Sequence, residues 1–255
     1  MSAPIRLVIA GAAGRMGQAI ARCALADSSF EIGGAFEMRG HTGVGTDYGT
    51  WLGQPAPLGV RLLDDAKAAI GRGDVVVTFT LPEATIEHVK LAQELKKPMV
   101  IGTTGLSDAH LGVLRDAAVT IPIVFSPNMS VGVNLLFELA QLAAQRLGTS
   151  FDVDVIEAHH KQKQDSPSGT AKRLAQGLAA ARRQPVGSIP VHAVRAGDIV
   201  GDHTVVLSGP AERLELTHRA HGRDVFAQGA LKAAQWVVHQ RPGLYDMSHV
   251  LKSNG

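Results

Sequence analysis

Cysteine, net charge and long apolar runs are all scarce in this sequence, and each scarcity excludes a class of protein. A single cysteine, Cys23, excludes an internal disulfide, and its place in an apolar helical pattern predicts a buried residue in a reducing, cytoplasmic setting. Lysine plus arginine is 25 against 23 for aspartate plus glutamate, so the net charge of +2 offers no basic field for nucleic acid. No apolar run reaches the ~20 residues of a spanning helix, and the N-terminal run is too short for a secretory signal. We therefore expect neither a nucleic-acid partner nor a membrane partner.

Short apolar strands alternate with helical patterns in the first half of the chain. Of the 255 residues, 45% are hydrophobic and 19% charged, the composition of a soluble globular protein with one large or two modest cores. The run IRLVIAG precedes a helical pattern in RMGQAIARCALA, and further buried runs follow at EIGGAFE, DVVVTFT, PMVIGTT and IPIVFSP. This alternation predicts an α/β fold with a Rossmann-like, doubly wound parallel sheet.

The pattern changes after Pro127. A long amphipathic helix is predicted over 131–148, an alternating strand over 151–160 and a further helix over 170–183. From Val191 onward, several strands joined by Gly-Asp and Gly-Pro turns indicate a mixed or antiparallel sheet. These features predict a second domain of the α+β class.

The domain boundaries are predicted from this change of pattern. The first domain is expected to cover 1–129, and the second 130–238. The last stretch is helical in pattern up to Arg241 and then forms a short tail, so we expect 239–255 to pack back on the first domain.

A glycine triplet lies at the predicted turn between the first strand and the first helix. Gly11, Gly14 and Gly17 in GAAGRMG would let the helix N-terminus approach a pyrophosphate, whose charge meets free N–H groups and the helix dipole. Ala13 stands at the usual second glycine, and an ordinary strand–helix turn is the alternative. Glu37 lies about twenty residues beyond the triplet, where an acid hydrogen-bonds the adenosine ribose hydroxyls. Together these features predict dinucleotide binding.

Glu37 also bears on the choice of cofactor. A carboxylate repels the 2′-phosphate of NADPH and so favours NADH, whereas Arg39 either offsets that repulsion or is a solvated loop cation. We therefore expect NADH, NADPH or both as the cofactor.

Histidines and cations are gathered in one loop, EAHHKQKQDSPSGTAKRLA, which begins at Glu157. His159 and His160 would point to opposite faces of a strand, so a shared site requires the strand to end there. A histidine titrates near neutrality, so either one could donate a proton when a hydride arrives. A satisfied structural role is the alternative for each histidine.

The same loop is predicted to end in an anion site. Ser168 or a neighbour is expected to cap the following helix, so that Gly169 and Thr170 present first-turn N–H groups, with Lys163 and Lys161 adding positive charge. The expected ligand is a small carboxylate-bearing anion, distinct from the dinucleotide. Solvated side chains are the alternative for both lysines.

Three other functional classes compete with a reductase. A metal hydrolase is disfavoured because the histidines do not fall in an HExxH or similar ligand frame, and no metal is predicted. A non-catalytic NAD(H)-sensing module would need a partner surface that the sequence does not suggest. An amino-acid or semialdehyde dehydrogenase would more often carry a nucleophilic cysteine or a different acid–base set.

Six segments, in order, resemble the 4-hydroxy-tetrahydrodipicolinate reductase family, also called dihydrodipicolinate reductases. They are GAAGRMG, FTLPEAT, VIGTTG, SPNMSVGVN, EAHHKQKQDSPSGTA and RAGDIVGDHTV, and the resemblance runs over essentially the whole chain. It implies an N-terminal dinucleotide domain, a C-terminal domain that binds a small dicarboxylate substrate, a homotetramer, and the reductive step of diaminopimelate and lysine biosynthesis.

The resemblance also implies roles for individual residues. His159 would be the proton donor and acceptor and Lys163 a second proton donor, and the substrate would contact His160, Ser168, Gly169 and Thr170. The cofactor would contact Gly11, Ala12, Ala13, Gly14, Arg15, Met16, Glu37, Met38, Gly102, Thr103, Thr104, Ser126, Pro127, Asn128 and Met129. This chain departs from many members in having Met38, with Arg39 displaced by one, directly after the acid, and from a well-known form in having Met129 at an aromatic position.

Overall fold

A computed structural model describes residues 3–252 and divides the chain into two compact units. The first unit runs to Met129 and resumes at Phe226, and the second is Ser130–Val225. The structural division therefore falls at 225/226, whereas the sequence pattern placed it at 238. Residues 253–255, which the expected C-terminal segment included, lie outside the described residues.

The described chain contains these elements in order: β1 (Ile5–Ala10), α1 (Arg15–Leu25), β2 (Phe30–Phe36), α2 (Tyr48–Trp51), β3 (Leu62–Leu63), α3 (Ala66–Ile70), β4 (Val75–Thr78), α4 (Pro82–Glu94), β5 (Met99–Ile101), α5 (Asp108–Ala118), β6 (Pro122–Phe125), α6 (Val131–Leu147), β7 (Asp152–His159), α7 (Gly169–Ala181), β8 (Val191–Arg195), β9 (Asp202–Ser208), β10 (Arg213–Arg219), α8 (Asp224–Val237), β11 (Gly243–Tyr245) and α9 (Met247–Lys252).

The first unit is built on a seven-stranded sheet in the order β11-β6-β5-β4-β1-β2-β3, in which every pairing is parallel. Strands β4 and β5 are fully buried and β1 is buried from Leu7 onward, as the apolar runs predicted. The order reverses between β1 and β4, which is the switch point where Rossmann-like sheets bind their ligands. The predicted Rossmann-like fold is confirmed.

The second unit is a four-stranded sheet in the order β10-β9-β7-β8, with α6 and α7 packed on one face. Strands β7, β9 and β10 pair antiparallel, whereas β8 lies parallel to β7. The sheet is therefore mixed, because α7 carries the chain back to the start of a parallel neighbour. The α+β prediction is confirmed.

Three features differ from the sequence-based expectations. Elements α2, β3 and α3 occupy a region where no pattern was recognised. The C-terminal tail is not irregular, because β11 pairs in parallel with β6 and α9 follows it. Cys23 lies in α1 as expected but is half-buried rather than buried.

No helix within residues 3–252 is long and apolar enough to cross a membrane.

Candidate active site

The carboxyl ends of five neighbouring strands carry most of the residues predicted to bind a dinucleotide. Gly11 follows β1, Glu37 follows β2, Thr80 follows β4, Gly102 follows β5 and Ser126 follows β6. In a parallel sheet these ends share one edge, and ligands bind there at the switch point. The fold therefore brings together segments that are more than a hundred residues apart in sequence.

The glycine-rich turn is shaped by close backbone approaches. Gly11 has φ +63, and a Cβ there would lie 2.8 Å from Thr80 Cγ2. A Cβ at Gly17 would lie 2.3 Å from the Gly11 carbonyl oxygen, so α1 packs directly on the turn. Gly14 is the N-cap of α1 and has no side chain to occupy the first-turn N–H groups. The turn is open to an anion at the positive end of the helix dipole.

Glu37 contacts the glycine-rich turn directly. Its Oε1 accepts a hydrogen bond from Ala13 N at 3.0 Å, and its Oε2 accepts one from Met38 N at 3.0 Å. The acid is thereby held between the end of β2 and the turn, and its contact with a ribose stays a prediction. Met38 itself is 73% exposed, and Arg39 is also exposed.

Tyr48 supports the same turn and was missed by the sequence analysis. Its side chain is fully buried, and its hydroxyl donates to the Ala12 carbonyl at 2.7 Å and lies 3.3 Å from the Gly17 carbonyl. Burial, reinforced by the charge of Glu37, raises the pKa of Tyr48, so the phenol remains a donor. The tyrosine lies 31 residues beyond Gly17, at the start of helix α2, which is too short for a periodic signal to mark it.

A chain of hydroxyl groups lies beneath the remaining strand ends. Thr78 Oγ1 is 3.0 Å from Thr80 Oγ1, which is 3.0 Å from Thr85 Oγ1, and Thr85 Oγ1 is 2.7 Å from Thr103 Oγ1. Thr103 is buried and Thr104, the next residue, is exposed. The VIGTTG segment is thus held by the hydrogen bond of Thr103 to Thr85, and Thr104 is exposed to solvent.

The segment after β6 is held in a similar way. Ser126 is buried and donates its hydroxyl hydrogen to the Asn128 carbonyl at 2.7 Å. Met129 is fully buried, so its side chain packs in the core and does not line an open surface. Pro127 is exposed and Asn128 half-buried, and these two residues are the accessible part of the segment.

In the second unit, strand β7 ends at His159, as the opposite directions of the two histidines required. Val153, Val155, Glu157 and His159 alternate onto the buried face of the sheet, so Glu157 and His159 continue the core side of the strand. His160 lies beyond the strand and is half-buried. The structure therefore separates a buried histidine from a more accessible one.

Glu157 and His159 form a buried pair. His159 Nδ1 is hydrogen-bonded to Glu157 Oε2, and Glu157 Oε1 accepts from Arg195 Nη2 at 2.8 Å and from Ser168 N at 3.2 Å. Burial alone would raise the pKa of Glu157, but these hydrogen bonds lower it below its usual value. Burial lowers the pKa of His159, while Glu157 acts in the opposite direction by raising it.

His203 lies beside this pair and was also missed by the sequence analysis. Its ring meets the His159 ring edge-on at 5.1 Å between centroids, and its Nε2 is 3.4 Å from Ser168 Oγ. Burial lowers the pKa of His203 to about 4, so its ring is neutral at physiological pH. The sequence did hold a signal for this residue. His203 alternates with Val205 and Leu207, which predicts that it shares their buried face of β9.

The N-terminus of α7 lies next to these groups. Ser168 caps the helix by accepting a hydrogen bond from Ala171 N at 3.2 Å, which confirms the predicted cap. A Cβ added at Gly169 would meet nothing within 4 Å, so the first turn faces open space. Lys163 pairs with Asp165 at 2.9 Å, and its charge lowers the pKa of His159. Thr170 is half-buried, and Lys161 is exposed.

Glu157, His159 and His203 have donor atoms within 4.8 Å of one another, a ligand set that resembles a zinc site. The Arg195 guanidinium already neutralises the carboxylate, and a divalent cation there would be left without compensating charge. The arrangement is better suited to holding a proton on an imidazole.

Comparisons with known proteins agree with this geometry. Residues 5–129 match the family model described as dihydrodipicolinate reductase, N-terminus, and residues 132–251 match its C-terminus counterpart. The 4-hydroxy-tetrahydrodipicolinate reductase of Syntrophus aciditrophicus is 42% identical, over 97% of this chain and 98% of that protein. The enzyme of the same name from Anaeromyxobacter sp. (strain Fw109-5) is 45% identical, over 97% of each chain.

A solved structure gives the same result. The dipicolinate-bound dihydrodipicolinate reductase from Paenisporosarcina sp. TG-14 superposes with a TM-score of 0.78 at 28% identity, covering 95% of this chain and 97% of that one. An aspartate semialdehyde dehydrogenase from Vibrio cholerae reaches a TM-score of 0.61 at 11% identity over 93% of this chain and 99% of that one, which shows a shared fold alone.

Proposed function

The chain belongs to the dihydrodipicolinate reductase family, and on that premise we propose how its residues bind the reactants and supply the proton. It is an NAD(P)-dependent oxidoreductase that reduces 4-hydroxy-tetrahydrodipicolinate (dihydrodipicolinate) in diaminopimelate and lysine biosynthesis. The observation that carries the proposal is the buried histidine His159, held by Glu157 beside the open N-terminus of α7.

The first unit is proposed to hold the pyridine nucleotide. The glycine-rich turn fits such a group. A Cβ at Gly11 or Gly17 would collide with neighbouring atoms, so only glycine lets the turn pack this closely. The first-turn N–H groups of α1, including those of Arg15 and Met16, would receive the pyrophosphate, and Glu37 the ribose. Gly102 to Thr104 and Ser126 to Asn128 would line the nicotinamide end, and Met129, which the sequence comparison had included, packs behind them in the core. When bound, the reduced nicotinamide supplies the hydride.

Glu37 is proposed to favour NADH over NADPH. Replacing it with glutamine removes the charge that repels a 2′-phosphate while keeping an acceptor for Ala13 N. We expect kcat/KM for NADPH relative to NADH to rise about tenfold, the effect of roughly 1.4 kcal/mol. Glu31→Gln, at an exposed carboxylate on β2, the strand that precedes Glu37, is the control and should leave the ratio unchanged. An unchanged ratio in Glu37→Gln would remove Glu37 from cofactor selection.

The second unit is proposed to bind the dicarboxylate. The N–H groups of Gly169 and Thr170 open the helix α7, where the dipole favours a carboxylate, and Gly169 borders open space. Lys163 and His160 lie in the same loop and would contact the ligand, with Lys163 exchanging its partner Asp165 for a substrate carboxylate. Charge-assisted contacts of this kind would fix the orientation of the ring.

His159 is proposed to hold the proton that the reduced substrate receives. Its Nδ1 is engaged by Glu157, which leaves Nε2 to exchange a proton with the substrate. The Lys163 ammonium is a second donor, and its charge stabilises negative charge that develops on the ring. The burial of His159 keeps bulk water from competing for that proton.

A turnover assay tests the proposal as a whole. The purified protein should oxidise NADH or NADPH, followed by loss of absorbance, only when the dihydrodipicolinate precursor is added. Pyridine-2,6-dicarboxylate should inhibit competitively and protect the amides of Gly169 and Thr170 from hydrogen exchange. Inhibition without protection of that helix turn would place the dicarboxylate elsewhere, and turnover of a semialdehyde alone would favour the rival dehydrogenase.

The protein is proposed to be a cytoplasmic homotetramer. The single half-buried cysteine suits a reducing compartment. A tetramer of dihedral symmetry needs at least two self-complementary surfaces. The second unit offers two exposed apolar features: Ile156 and Val194 on the sheet face away from α6 and α7, and the stripe Leu135, Leu139 and Leu142 along α6.

Light scattering after size exclusion checks this assembly. We expect the double variant Ile156→Glu, Val194→Glu to form a species smaller than the tetramer, because buried carboxylates would be unpaired in the interface. Val186→Glu, at an exposed valine in the loop before β8, should remain tetrameric. A tetramer in the double variant would exclude this sheet face from the assembly.

A further inference from the structure

Arg195 and His203 lie on strands other than that of His159, yet both side chains reach its surroundings. In the sheet register, Arg195 of β8 lies opposite His159, and His203 of β9 lies opposite Glu157. Residues opposite one another on neighbouring strands share a face of the sheet. Three strands therefore bring four polar side chains to one end of the face that buries the core of this unit.

Glu157 is hydrogen-bonded to three of its neighbours. Its side chain is fully buried, and both carboxylate oxygens accept hydrogen bonds, Oε2 from His159 and Oε1 from Arg195 and Ser168. A buried carboxylate with a guanidinium partner and a backbone N–H donor is stabilised in its ionised form. An ionised Glu157 is an acceptor only, so it fixes the Nδ1 hydrogen of His159.

The other ring nitrogen of His159, Nε2, lies near Gly201, a residue without a side chain. A Cβ added at Gly201, which immediately precedes β9, would lie 3.0 Å from His159 Nε2. His203 closes the side of the ring, with its Nδ1 lacking a hydrogen-bond partner among the described residues. The segment from Arg195 to His203 thus acts on one nitrogen through Glu157, and at Gly201 it carries no side chain against the other.

We propose that Glu157 is a positioning residue, which orients the His159 ring and stabilises its protonated form. Arg195 is proposed to offset part of that stabilisation. The proposal rests on the proposed role of His159 as proton donor. Glu157 and Arg195 act through His159 and are not themselves placed against substrate. The two charges oppose each other: the negative charge of Glu157 favours the imidazolium, and the positive charge of Arg195 disfavours it.

The variant Glu157→Gln tests the proposed role of Glu157. An acid catalyst must be protonated, so kcat falls as pH rises through the pKa of His159. Removing the carboxylate charge removes what favours the imidazolium, so the midpoint of that fall should move to lower pH. Above the midpoint, kcat should drop about tenfold for each unit of the shift. Glu157→Asp, which keeps the charge, should return the midpoint toward its original position.

The variant Arg195→Gln tests the proposed role of Arg195, because the sign of its effect is opposite. Loss of the guanidinium charge should move the midpoint to higher pH, while the amide retains a donor for Glu157. A merely structural role of either residue would reduce the amount of active enzyme without moving the two midpoints in opposite directions. Asp154→Asn is the control. It removes an exposed carboxylate of the same strand, β7, which pairs with His192, and it should leave the midpoint unchanged.

An NMR titration of the His159 ring gives a readout that does not depend on turnover. Its pKa should fall in Glu157→Gln and rise in Arg195→Gln, in the full-length protein without ligands. Shifts in the same direction, or no shift in Glu157→Gln, would overturn the proposal. If His159→Gln leaves kcat unchanged while the NMR shifts occur, the proposed function of His159 fails and the positioning by Glu157 stands.

Discussion

Replacing His159 with glutamine is expected to lower kcat by about 10²–10⁴, the usual contribution of a positioned general acid. Glutamine fills a similar volume and keeps polar atoms near Glu157, but it does not supply a proton at neutral pH. The KM for the dicarboxylate should change far less, because the α7 N-terminus and Lys163 are untouched. Steady-state kinetics with saturating NADH separates the two parameters.

The control for this experiment is His239→Gln, at an exposed histidine just beyond α8 in the first unit. It should retain the kcat of the unmodified enzyme. A His159→Gln variant with full kcat would remove this residue from the chemistry. A variant with raised KM and unchanged kcat would make it a binding residue instead.

Replacing Gly17 with alanine is expected to weaken cofactor binding strongly. The added Cβ would lie 2.3 Å from the Gly11 carbonyl oxygen and 2.7 Å from Ala12 Cα, and both of these are backbone atoms that cannot rotate away. Overpacking of this kind costs about 1–3 kcal/mol, which corresponds to roughly 5–150-fold if it acts on the nucleotide-bound state alone. Fluorescence titration with NADH and with NADPH measures the loss.

Gly112→Ala is the matched control, because Gly112 lies in helix α5 and a Cβ there would meet nothing within 4 Å. It should bind the cofactor normally and be slightly more stable, by about 0.5–1 kcal/mol. The affinity of Gly17→Ala for pyridine-2,6-dicarboxylate should persist, since that ligand is proposed to bind the second unit. Normal NADH affinity in Gly17→Ala would show that α1 can retreat from the turn.

The sequence predicts those parts of the fold that have a clear period. Strand β4 begins with the apolar run VVV, β1 is apolar apart from Arg6, and the helix α6 is long enough for its apolar stripe to be read. Element β3 has only two residues and β11 only three, too few for a period to appear. These short strands are defined by pairing with a neighbour, which depends on tertiary structure and not on local pattern.

The candidate site divides in the same way. His159, Lys163 and Ser168 fall within one loop, so their proximity could be predicted from the chain itself. Arg195 and His203 reach that loop only through the register of three strands, and register between distant segments has no local signal. The resemblance to a known family included the segment RAGDIVGDHTV, but the chemistry of its ends became apparent only from the pairing.

The return of β11 to the first sheet has a consequence for biosynthesis of the chain. The second unit is one contiguous stretch, whereas the first unit also needs residues that are translated after it. Domains generally fold as units while the ribosome is still elongating the chain. The second unit can therefore be completed before the first, and one edge of β6 stays unpaired until the codons for β11 have been read.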